Sequence, residues 1–292
     1  MHGCGNDFVV FSDRDNRYSW DDLSALARRL CPQRFGIGAD GLIAVGMSAL
    51  EGDRWPAVAD YEMRYVNSDG SRAEMCGNGI RCLGKYAAEV LSDRRNILKV
   101  MTGAGILQLV LDRNAADVVL GATVGMGEPK LVASSIPTTL TAPEARVINV
   151  PLEVGGETLD VTCVNMGNPH AVVFVPEITD HHVLTLGKLM ETHPAFPERV
   201  NAEFVQVLDR VHERRPRLRM RVWERGCGET WACGTGACAT MVAGVLSGRV
   251  AQCDDVEVIV NGGSLHIEWP GPGSTVRLTG PAETVFKGEI EI

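Results

Sequence analysis

Residues 74–82 of this chain read Glu-Met-Cys-Gly-Asn-Gly-Ile-Arg-Cys, and residues 231–238 read Trp-Ala-Cys-Gly-Thr-Gly-Ala-Cys. The two stretches share the form Cys-Gly-polar-Gly, centred on Cys76 and Cys233, and an Ala-rich helical pattern follows each of them. A strand-like segment and a polar turn precede each copy. Because the copies lie about half of the chain apart, the repeat predicts two similar α+β halves, each with one cysteine at the start of a helix.

The rest of the chain has mostly the pattern of β-strands. Short apolar or alternating segments bounded by Gly, Pro, Asn or Asp predict strands. These segments are Phe8 to Phe11, Leu42 to Val45, Tyr61 to Val66, Ile106 to Leu111, Leu159 to Val164, Ala171 to Val175, Phe204 to Leu208, Leu218 to Trp223, Val256 to Val260 and Leu265 to Trp269. Helical spacing predicts four helices, at Asp21 to Leu30, Ile80 to Leu91, His182 to Glu191 and Ala237 to Leu246. We expect Ser19 to cap the first helix and Pro32 to end it.

A Gly-rich stretch between Asn114 and Lys130 has few helix signals and is the expected seam between the halves. We place residues 1–117 in an N-terminal half that is completed by residues 280–292. Residues 118–279 then form the C-terminal half.

The composition excludes several classes of function. The net charge of -9 argues against a nucleic-acid surface, which needs clustered Lys and Arg. The basic segment from Arg210 to Arg221 ends in alternation with Leu218, Met220 and Val222, which is typical of a half-buried strand. No apolar run approaches the roughly 18 residues of a membrane span, and the first residues resemble no targeting signal, so we expect a cytoplasmic protein without membrane partners.

The nine cysteines are an odd number, which argues against a closed disulfide framework, and the cytosol keeps thiols reduced. Zinc and thioredoxin-like sites both favour two residues between cysteines. The close intervals here have four or five, so we expect no metal. Buried structural thiols are the expected role of five cysteines, namely Cys31, Cys82, Cys163, Cys238 and Cys253.

Cys76 and Cys233 differ because of their glycine-rich context. The first N–H groups of a helix have no internal partner and carry partial positive charge, which stabilises a thiolate and lowers its pKa. Flanking glycines let a carboxylate approach these N–H groups. If both helix starts face one ligand, one thiol can remove the α-proton of an amino acid and the other can return a proton to the opposite face. This chemistry is racemisation or epimerisation without pyridoxal phosphate.

Six motifs are spread over nearly the whole chain. They are Gly5-Asn6-Asp7-Phe8, Gly36-Ile37-Gly38-Ala39-Asp40-Gly41, Asn67-Ser68-Asp69-Gly70-Ser71 before Cys76-Gly77-Asn78-Gly79, Asn165-Met166-Gly167-Asn168-Pro169-His170, Arg199-Val200-Asn201-Ala202, and Glu224-Arg225-Gly226 before Ala232-Cys233-Gly234-Thr235-Gly236. With these motifs the chain resembles the diaminopimelate epimerase family from end to end, and six motifs in the family's order are highly specific.

The resemblance implies two pseudo-symmetric domains, each a mixed, mostly antiparallel sheet wrapped around a central helix. It implies a cofactor-independent isomerase that interconverts LL- and meso-2,6-diaminopimelate in lysine and peptidoglycan precursor biosynthesis. The matching residues would be Cys76 and Cys233 as the acid-base pair; Gly77, Asn78, Gly234 and Thr235 on the reacting carboxylate; Asn6 near the reacting ammonium; Asn67, Asn168, Asn201 and Arg225 on the distal carboxylate side; and Glu224 on the distal ammonium. His170 would support the site.

Some alternatives stay open. Asn67, Asn168 and Asn201 adjoin turns, where Asn also serves the backbone. Some family members have glutamine where Gly41 stands, and that side chain helps to hold the substrate amine.

The nearest rival function is a racemase or isomerase of the same fold for another amino acid, and the second is a non-catalytic, thiol-sensing binding protein. The expected partners are a small-molecule amino-acid substrate and, as an alternative to a monomer, a second copy in a homodimer.

Overall fold

The computed structural model describes residues 1–47, 59–208, 216–251 and 255–291. The chain divides into two compact units. Unit 1 comprises Met1–Gly125 and Thr279–Ile292, and unit 2 comprises Met126–Leu278. The expected boundary at 117/118 precedes strand β8 (Val119–Gly125), which pairs with the strand before it in unit 1. The division between the units therefore lies after Gly125, the last residue of β8, and not before that strand.

The described residues of unit 1 include two helices, α1 (Trp20–Leu30) and α2 (Gly77–Glu89). Its strands before β8 are β1 (His2–Gly3), β2 (Asn6–Ser12), β3 (Gly41–Met47), β4 (Tyr61–Asn67), β5 (Arg72–Ala73), β6 (Ile97–Thr102) and β7 (Gly105–Arg113). β2 and β3 are parallel, β3 and β4 antiparallel, and β6 parallel to β4. α2 crosses between β4 and β6 and packs on β1, β2, β3, β7 and β8, so the sheet surrounds it.

Unit 2 contains a three-residue 3-10 turn (Ala133–Ser135) and strands β9 (Val150–Val154), β10 (Glu157–Asn165), β11 (Pro169–Phe174), β12 (Asn201–Val207), β13 (Arg217–Glu224), β14 (Gly228–Glu229), β15 (Val256–Val260) and β16 (Gly263–Glu268). β17 (Arg277–Pro281) crosses into unit 1. A π-helical segment, His181–Gly187, continues into the short helix α3 (Lys188–Glu191). The long helix α4 (Gly234–Leu246) crosses between β13 and β15.

The two units repeat one topology. In unit 2, β11 and β12 are parallel, β12 and β13 antiparallel, and β15 parallel to β13. These relations match those of β2, β3, β4 and β6 in unit 1, and each central helix follows the third strand of the set. The α+β fold with a mixed sheet around a central helix in each half is therefore confirmed.

The central strands are buried on both faces. In β3, Leu42 and Ala44 pack with α1 in one apolar cluster, whereas Ile43 faces the first turn of α2. In β12, Ala202 and Phe204 pack under the π-helical segment, whereas Glu203 faces α4. Alternating side chains of a strand point to opposite faces, so each strand joins two layers.

All ten strands predicted from the sequence are present, with some shifted ends. The strands that the sequence did not predict include β6, β8, β9 and β17. The capping box of Ser19 and Asp22 at α1 confirms the predicted helix start. Both central helices begin three residues earlier than predicted, because the Gly-rich turn itself is their first turn.

The basic segment was predicted to be a half-buried strand. Arg217 and Arg219 are exposed on β13, whereas Leu218, Met220 and Val222 are buried, which confirms this for the described part. Residues Arg210, Arg214 and Arg215, like Cys253, lie outside the described residues. Among the described residues, no helix is long and apolar enough to cross a membrane.

Candidate active site

The two repeated cysteines occupy the same place in their units. Cys76 is the N-cap of α2, with φ -136° and ψ 119°, and Cys233 is the N-cap of α4, with φ -113° and ψ 109°. Both residues are extended, and the chain enters the helix at the following glycine. Each cysteine thus stands at the N-terminal end of a central helix, where an anion is stabilised.

Cys233 is held by its own helix. Its Sγ accepts a hydrogen bond from the N–H of Gly236 at 3.3 Å and lies 3.5 Å from the hydroxyl oxygen of Thr235. Burial raises the pKa of Cys233 well above its ordinary value, and the charge of Glu224 raises it further, while the bonds from Thr235 and Gly236 lower it. The expected lowering of the thiol pKa is therefore not found at Cys233, because its removal from water outweighs the helix N-terminus.

Cys76 contacts a side chain from the start of β2. Its thiol donates to Oδ1 of Asn6 at 3.6 Å, and Nδ2 of Asn78 donates to the same oxygen at 3.1 Å. Nδ2 of Asn6 donates to Oδ2 of Asp40 at 2.6 Å. Three predicted residues, Asn6, Cys76 and Asn78, are thus brought together, and Asp40 joins them although the sequence did not single it out as a site residue.

The buried side chain of Asn78 belongs to the protein's own network. Its Oδ1 accepts from Nη2 of Arg81 at 2.9 Å, while its Nδ2 bonds Asn6. The part of Asn78 that can meet a ligand is therefore its backbone N–H in the first turn of α2. Asn67 ends β4 and donates to Oγ of Ser71 at 2.9 Å, which is a turn contact.

Gly41 lies opposite Asn67 on the neighbouring strand. A Cβ atom at Gly41 would lie 2.5 Å from Cε2 of Tyr65 and 2.9 Å from the carbonyl oxygen of Val66. The ring of Tyr65 thus fills the space that a side chain at position 41 would need. This explains why glycine stands there in this chain.

In unit 2, Asn168 and His170 are linked to a third residue. Nε2 of His170 lies 2.9 Å from Oδ1 of Asn168, and Nδ1 lies 2.6 Å from Oε1 of Glu203. The side chains of His170 and Glu203 are completely buried. A Cβ atom at Gly236 would lie 2.9 Å from Oε1 of Glu203, which places this carboxyl directly against the first turn of α4.

The segment Glu224-Arg225-Gly226 forms the end of β13 and the following turn. β13 ends at Glu224, whose Oε1 accepts from the hydroxyl of Thr230. Because the strand has ended, Arg225 is not forced to the opposite face, and its Nη1 donates to the carbonyl of Glu198 at 3.0 Å. The turn residue Gly226 has φ 78°, a left-handed conformation that suits glycine.

Two buried side chains fix this turn from below. Oδ1 of Asn201 accepts from the backbone N–H of Arg225 at 2.8 Å, and its Nδ2 donates to the carbonyl of Pro169 at 3.1 Å. Glu191 accepts from Nε1 of Trp223 at 2.8 Å and from the N–H of Gly226 at 2.9 Å. Asn201 thus serves the backbone here, and Glu191 is a residue that the sequence did not single out.

Local sequence patterns contain little signal for Asp40, Glu203 and Glu191. Asp40 lies inside the glycine-rich motif of residues 36–41, but Glu203 and Glu191 occur in otherwise apolar or helical segments. A charged residue in an apolar strand was the available signal for Glu203, because such a residue is rarely buried without a partner.

The chain is similar to known proteins over nearly its whole length. The family model described as diaminopimelate epimerase matches residues 1–132 and 162–285. A diaminopimelate epimerase of Nostoc punctiforme is 48% identical over 99% of this chain and 97% of its own length. One of Moorella thermoacetica is 47% identical, covering 100% of this chain and 98% of the relative.

Solved structures with the same fold have much lower identity. A phenazine biosynthesis protein of the PhzF family from Bacillus anthracis has a TM-score of 0.66 and 16% identity, covering 100% of this chain and 95% of that one. A hydroxyproline epimerase from Agrobacterium vitis, solved with bound trans-4-hydroxy-L-proline, has a TM-score of 0.63 and 15% identity, covering 96% and 86%. These similarities support the fold.

Proposed function

The chain belongs to the diaminopimelate epimerase family, and we propose that it interconverts LL- and meso-2,6-diaminopimelate, with one of Cys76 and Cys233 removing the α-proton and the other supplying a proton to the opposite face. The reaction supplies the lysine and peptidoglycan precursor routes. The observation that carries this proposal is the equivalent placement of the two thiols as N-caps of the central helices α2 and α4.

The proton transfer needs no covalent intermediate. The thiolate of one cysteine takes the α-proton, and the electron pair of the C–H bond stays on the carbon, conjugated with the carboxylate. The thiol of the other cysteine then gives its proton to the opposite face of that carbon. The configuration is inverted, and the two cysteines have exchanged protonation states, so the reverse reaction restores them.

The first helical turns suit the reacting carboxylate. The backbone N–H groups of Gly77 and Asn78, and of Gly234 and Thr235, are the candidates for binding it. Negative charge that develops on the carboxylate oxygens during deprotonation is stabilised by such preorganised donors. Oδ1 of Asn6 is a carbonyl oxygen, which only accepts hydrogen bonds. It therefore suits the reacting ammonium group, which donates them.

The turn after β13 suits the distal end of the substrate. Arg225 offers a forked donor for a carboxylate, and Glu224 offers an acceptor for an ammonium group. Asn67, Asn168 and Asn201 complete the proposed binding set. An amide NH2 group has two hydrogens, so Asn67 and Asn201 can each donate a second bond beside the one that each makes within the protein. A substrate with one amino-acid head has no use for this charged pair, which is why diaminopimelate is favoured over the amino acids of same-fold racemases.

The test is to replace each thiol and follow inversion by NMR in deuterium oxide. We expect Cys76→Ala and Cys233→Ala each to reduce epimerisation by about a thousandfold or more while the circular dichroism spectrum is unchanged. Cys227→Ser is the matched control, because this thiol is exposed and lies six residues before Cys233. Near-normal inversion by either alanine variant would exclude the two-thiol mechanism.

The same assay distinguishes the rival functions. A panel of amino acids in deuterium oxide reports both the reaction and the substrate, and we expect α-deuteration of diaminopimelate alone. Deuteration of proline or histidine would favour a same-fold racemase, and no deuteration would favour a binding protein. We further propose a cytoplasmic location, where both thiols stay reduced, and a homodimer, which analytical ultracentrifugation tests.

A further inference from the structure

The two units place an asparagine at the same point of the same topology. Asn6 begins β2 after Gly5, and Asn168 precedes β11 after Gly167, and both glycines have positive φ, 79° and 101°. The strands β2 and β11 are equivalent, since each is parallel to the first strand of the following antiparallel pair. The segments Gly-Asn-Asp-Phe and Gly-Asn-Pro-His are therefore structural counterparts.

Beneath these asparagines the units differ in chemistry. Phe8 in unit 1 corresponds to His170, because Phe8 pairs with Gly41 and His170 with Asn201 at equivalent strand starts. Two residues further, Ile43 corresponds to Glu203. All four side chains are buried, and Ile43 and Glu203 face the first turn of the central helix of their unit. Unit 1 builds this layer from apolar side chains, so the fold does not require the polar pair, whose burial costs free energy.

The distances in unit 2 define where the protons lie. Oδ1 of Asn168 lies 2.9 Å from Nε2 of His170, and an amide oxygen can only accept, so this contact is a hydrogen bond when Nε2 carries the proton. Nδ1 lies 2.6 Å from Oε1 of Glu203, and two lone pairs at that distance repel, so a second proton lies between these atoms. Burial raises the pKa of Glu203, which favours a carboxyl group that keeps its proton.

The opposite arrangement holds in unit 1. Asp40 is an acceptor, so Asn6 turns its NH2 group toward it and presents Oδ1 to Cys76 and Asn78. His170 is a donor, so Asn168 turns Oδ1 toward it. The two equivalent amides thus have opposite orientations: Asn6 directs its NH2 group to an acceptor, and Asn168 directs its oxygen to a donor.

We propose that Glu203 is a positioning residue that keeps the proton on Nε2 of His170 and thereby holds the amide of Asn168 with its NH2 group turned toward the substrate. A carboxylate on the substrate then meets donors at Asn168, whereas an ammonium group meets an acceptor at Asn6. This role rests on the proposed function, in which Asn168 binds the distal carboxylate. Glu203 itself contacts His170 and the first turn of α4 and touches no substrate.

The first test is the tautomer of His170 in the substrate-free protein. Long-range proton–nitrogen NMR spectra assign the protonated ring nitrogens, and the variant His170→Asn identifies the signals of His170 among those of the seven histidines. We expect a protonated Nε2 in the unaltered protein. We expect the same in Glu203→Gln, whose amide NH2 donates to Nδ1. A ring protonated only at Nδ1 in the unaltered protein would overturn the proposal.

The second test separates positioning from packing. Glu203→Ile copies the apolar residue of unit 1, removes the partner of Nδ1 and is expected to give a mixture of tautomers. The KM for diaminopimelate should rise about tenfold with a smaller change in kcat, the loss expected for one hydrogen bond to a charged group, whereas Glu203→Gln should keep KM within about threefold.

An isoleucine variant that keeps both the tautomer and KM would show that Glu203 only fills space. If this variant does not fold, the double variant His170→Phe with Glu203→Ile, which copies the whole apolar pair, takes its place and is expected to fold with the same rise in KM. A double variant with unchanged KM would overturn the proposal. The NMR result requires no turnover, so it stands even if the alanine variants of Cys76 and Cys233 disprove the proposed reaction.

Discussion

Asn6 and Asp40 are joined by a hydrogen bond of 2.6 Å between Nδ2 and Oδ2, although 33 residues separate them in the chain. Asp40 Oδ2 also accepts from the backbone N–H of Asp7 at 3.2 Å. A carboxylate accepts hydrogen bonds and cannot donate them, so this contact leaves one orientation for the Asn6 amide. Oδ1 consequently faces the thiol of Cys76.

Removing the carboxylate of Asp40 should allow the Asn6 amide to adopt either orientation. We predict that Asp40→Ala lowers kcat/KM by about tenfold, since a hydrogen bond to a charged group in a partly exposed place has an effect near the low end of its range. Asp40→Asn should lose a similar amount, because an asparagine there can bond either end of the Asn6 amide. Steady-state kinetics measure both changes. Asp15→Asn, at an exposed carboxylate paired with Arg17, is the control and should be unaffected.

Replacing the second glycine of each repeat with alanine should lower kcat by different amounts in the two units. At Gly236 a Cβ would lie 2.9 Å from Oε1 of Glu203 and 3.2 Å from Sγ of Cys233. At Gly79 the nearest atoms are Cδ1 of Ile43 at 2.8 Å and Cε of Met63 at 3.1 Å, which are flexible ends of side chains. We predict that Gly236→Ala lowers kcat at least tenfold more than Gly79→Ala.

Thermal unfolding serves as the control for that comparison. Both substitutions overpack the core, so each should cost about 1–3 kcal/mol of stability. Equal kcat values for the two variants would mean that the position of the Cys233 thiol does not depend on Gly236.

Thiol alkylation should follow burial. Burial raises the pKa of Cys31 to about 11 and that of Cys82 to about 12. The thiolate is the reactive form, and its fraction falls tenfold for each pH unit below the pKa. At neutral pH, iodoacetamide should therefore label the exposed Cys227 first and leave Cys31 and Cys82 unlabelled. Mass spectrometry of tryptic peptides gives the order.

The same shifts predict a loss of stability in alkali. In the unfolded chain these thiols ionise near pH 8.5, whereas in the folded protein they keep their protons until about pH 11 to 12. The stabilisation is complete below the unfolded pKa and is lost as pH rises from there to the folded pKa. Urea unfolding between pH 8 and 11 should show a decline that is shallower in Cys31→Ala. An equal slope in that variant would contradict the assignment.

Glu191 should affect binding through the turn that it holds. Its two oxygens accept from Nε1 of Trp223 and from the N–H of Gly226 on either side of Arg225. Glu191→Gln keeps one oxygen and replaces the other with a donor, so one of these N–H groups loses its partner. We predict a rise in KM of about tenfold with little change in kcat. A fall in kcat at unchanged KM would contradict this role.

Much of the candidate site follows from local patterns. The Cys-Gly-polar-Gly repeat places Cys76 and Cys233 at helix starts because glycine-rich turns after strands lead into helices, and the structure has both residues as N-caps. The alternation of Leu218, Met220 and Val222 with arginines also predicts β13, because a strand with one buried face has apolar residues at every second position. The strand β17, with Gly280 and Pro281 in it, lacks such a pattern and was not predicted.

The order of neighbouring residues is enough to predict the two-half α+β fold, the helix starts that carry the thiols, and the family. The folded chain is needed to see that Asp40 orients Asn6, that Glu203 lies against α4 beside His170, and that burial raises the pKa of Cys233. Hydrogen-bond direction and desolvation arise from atoms brought together from distant parts of the chain, and no local pattern encodes them.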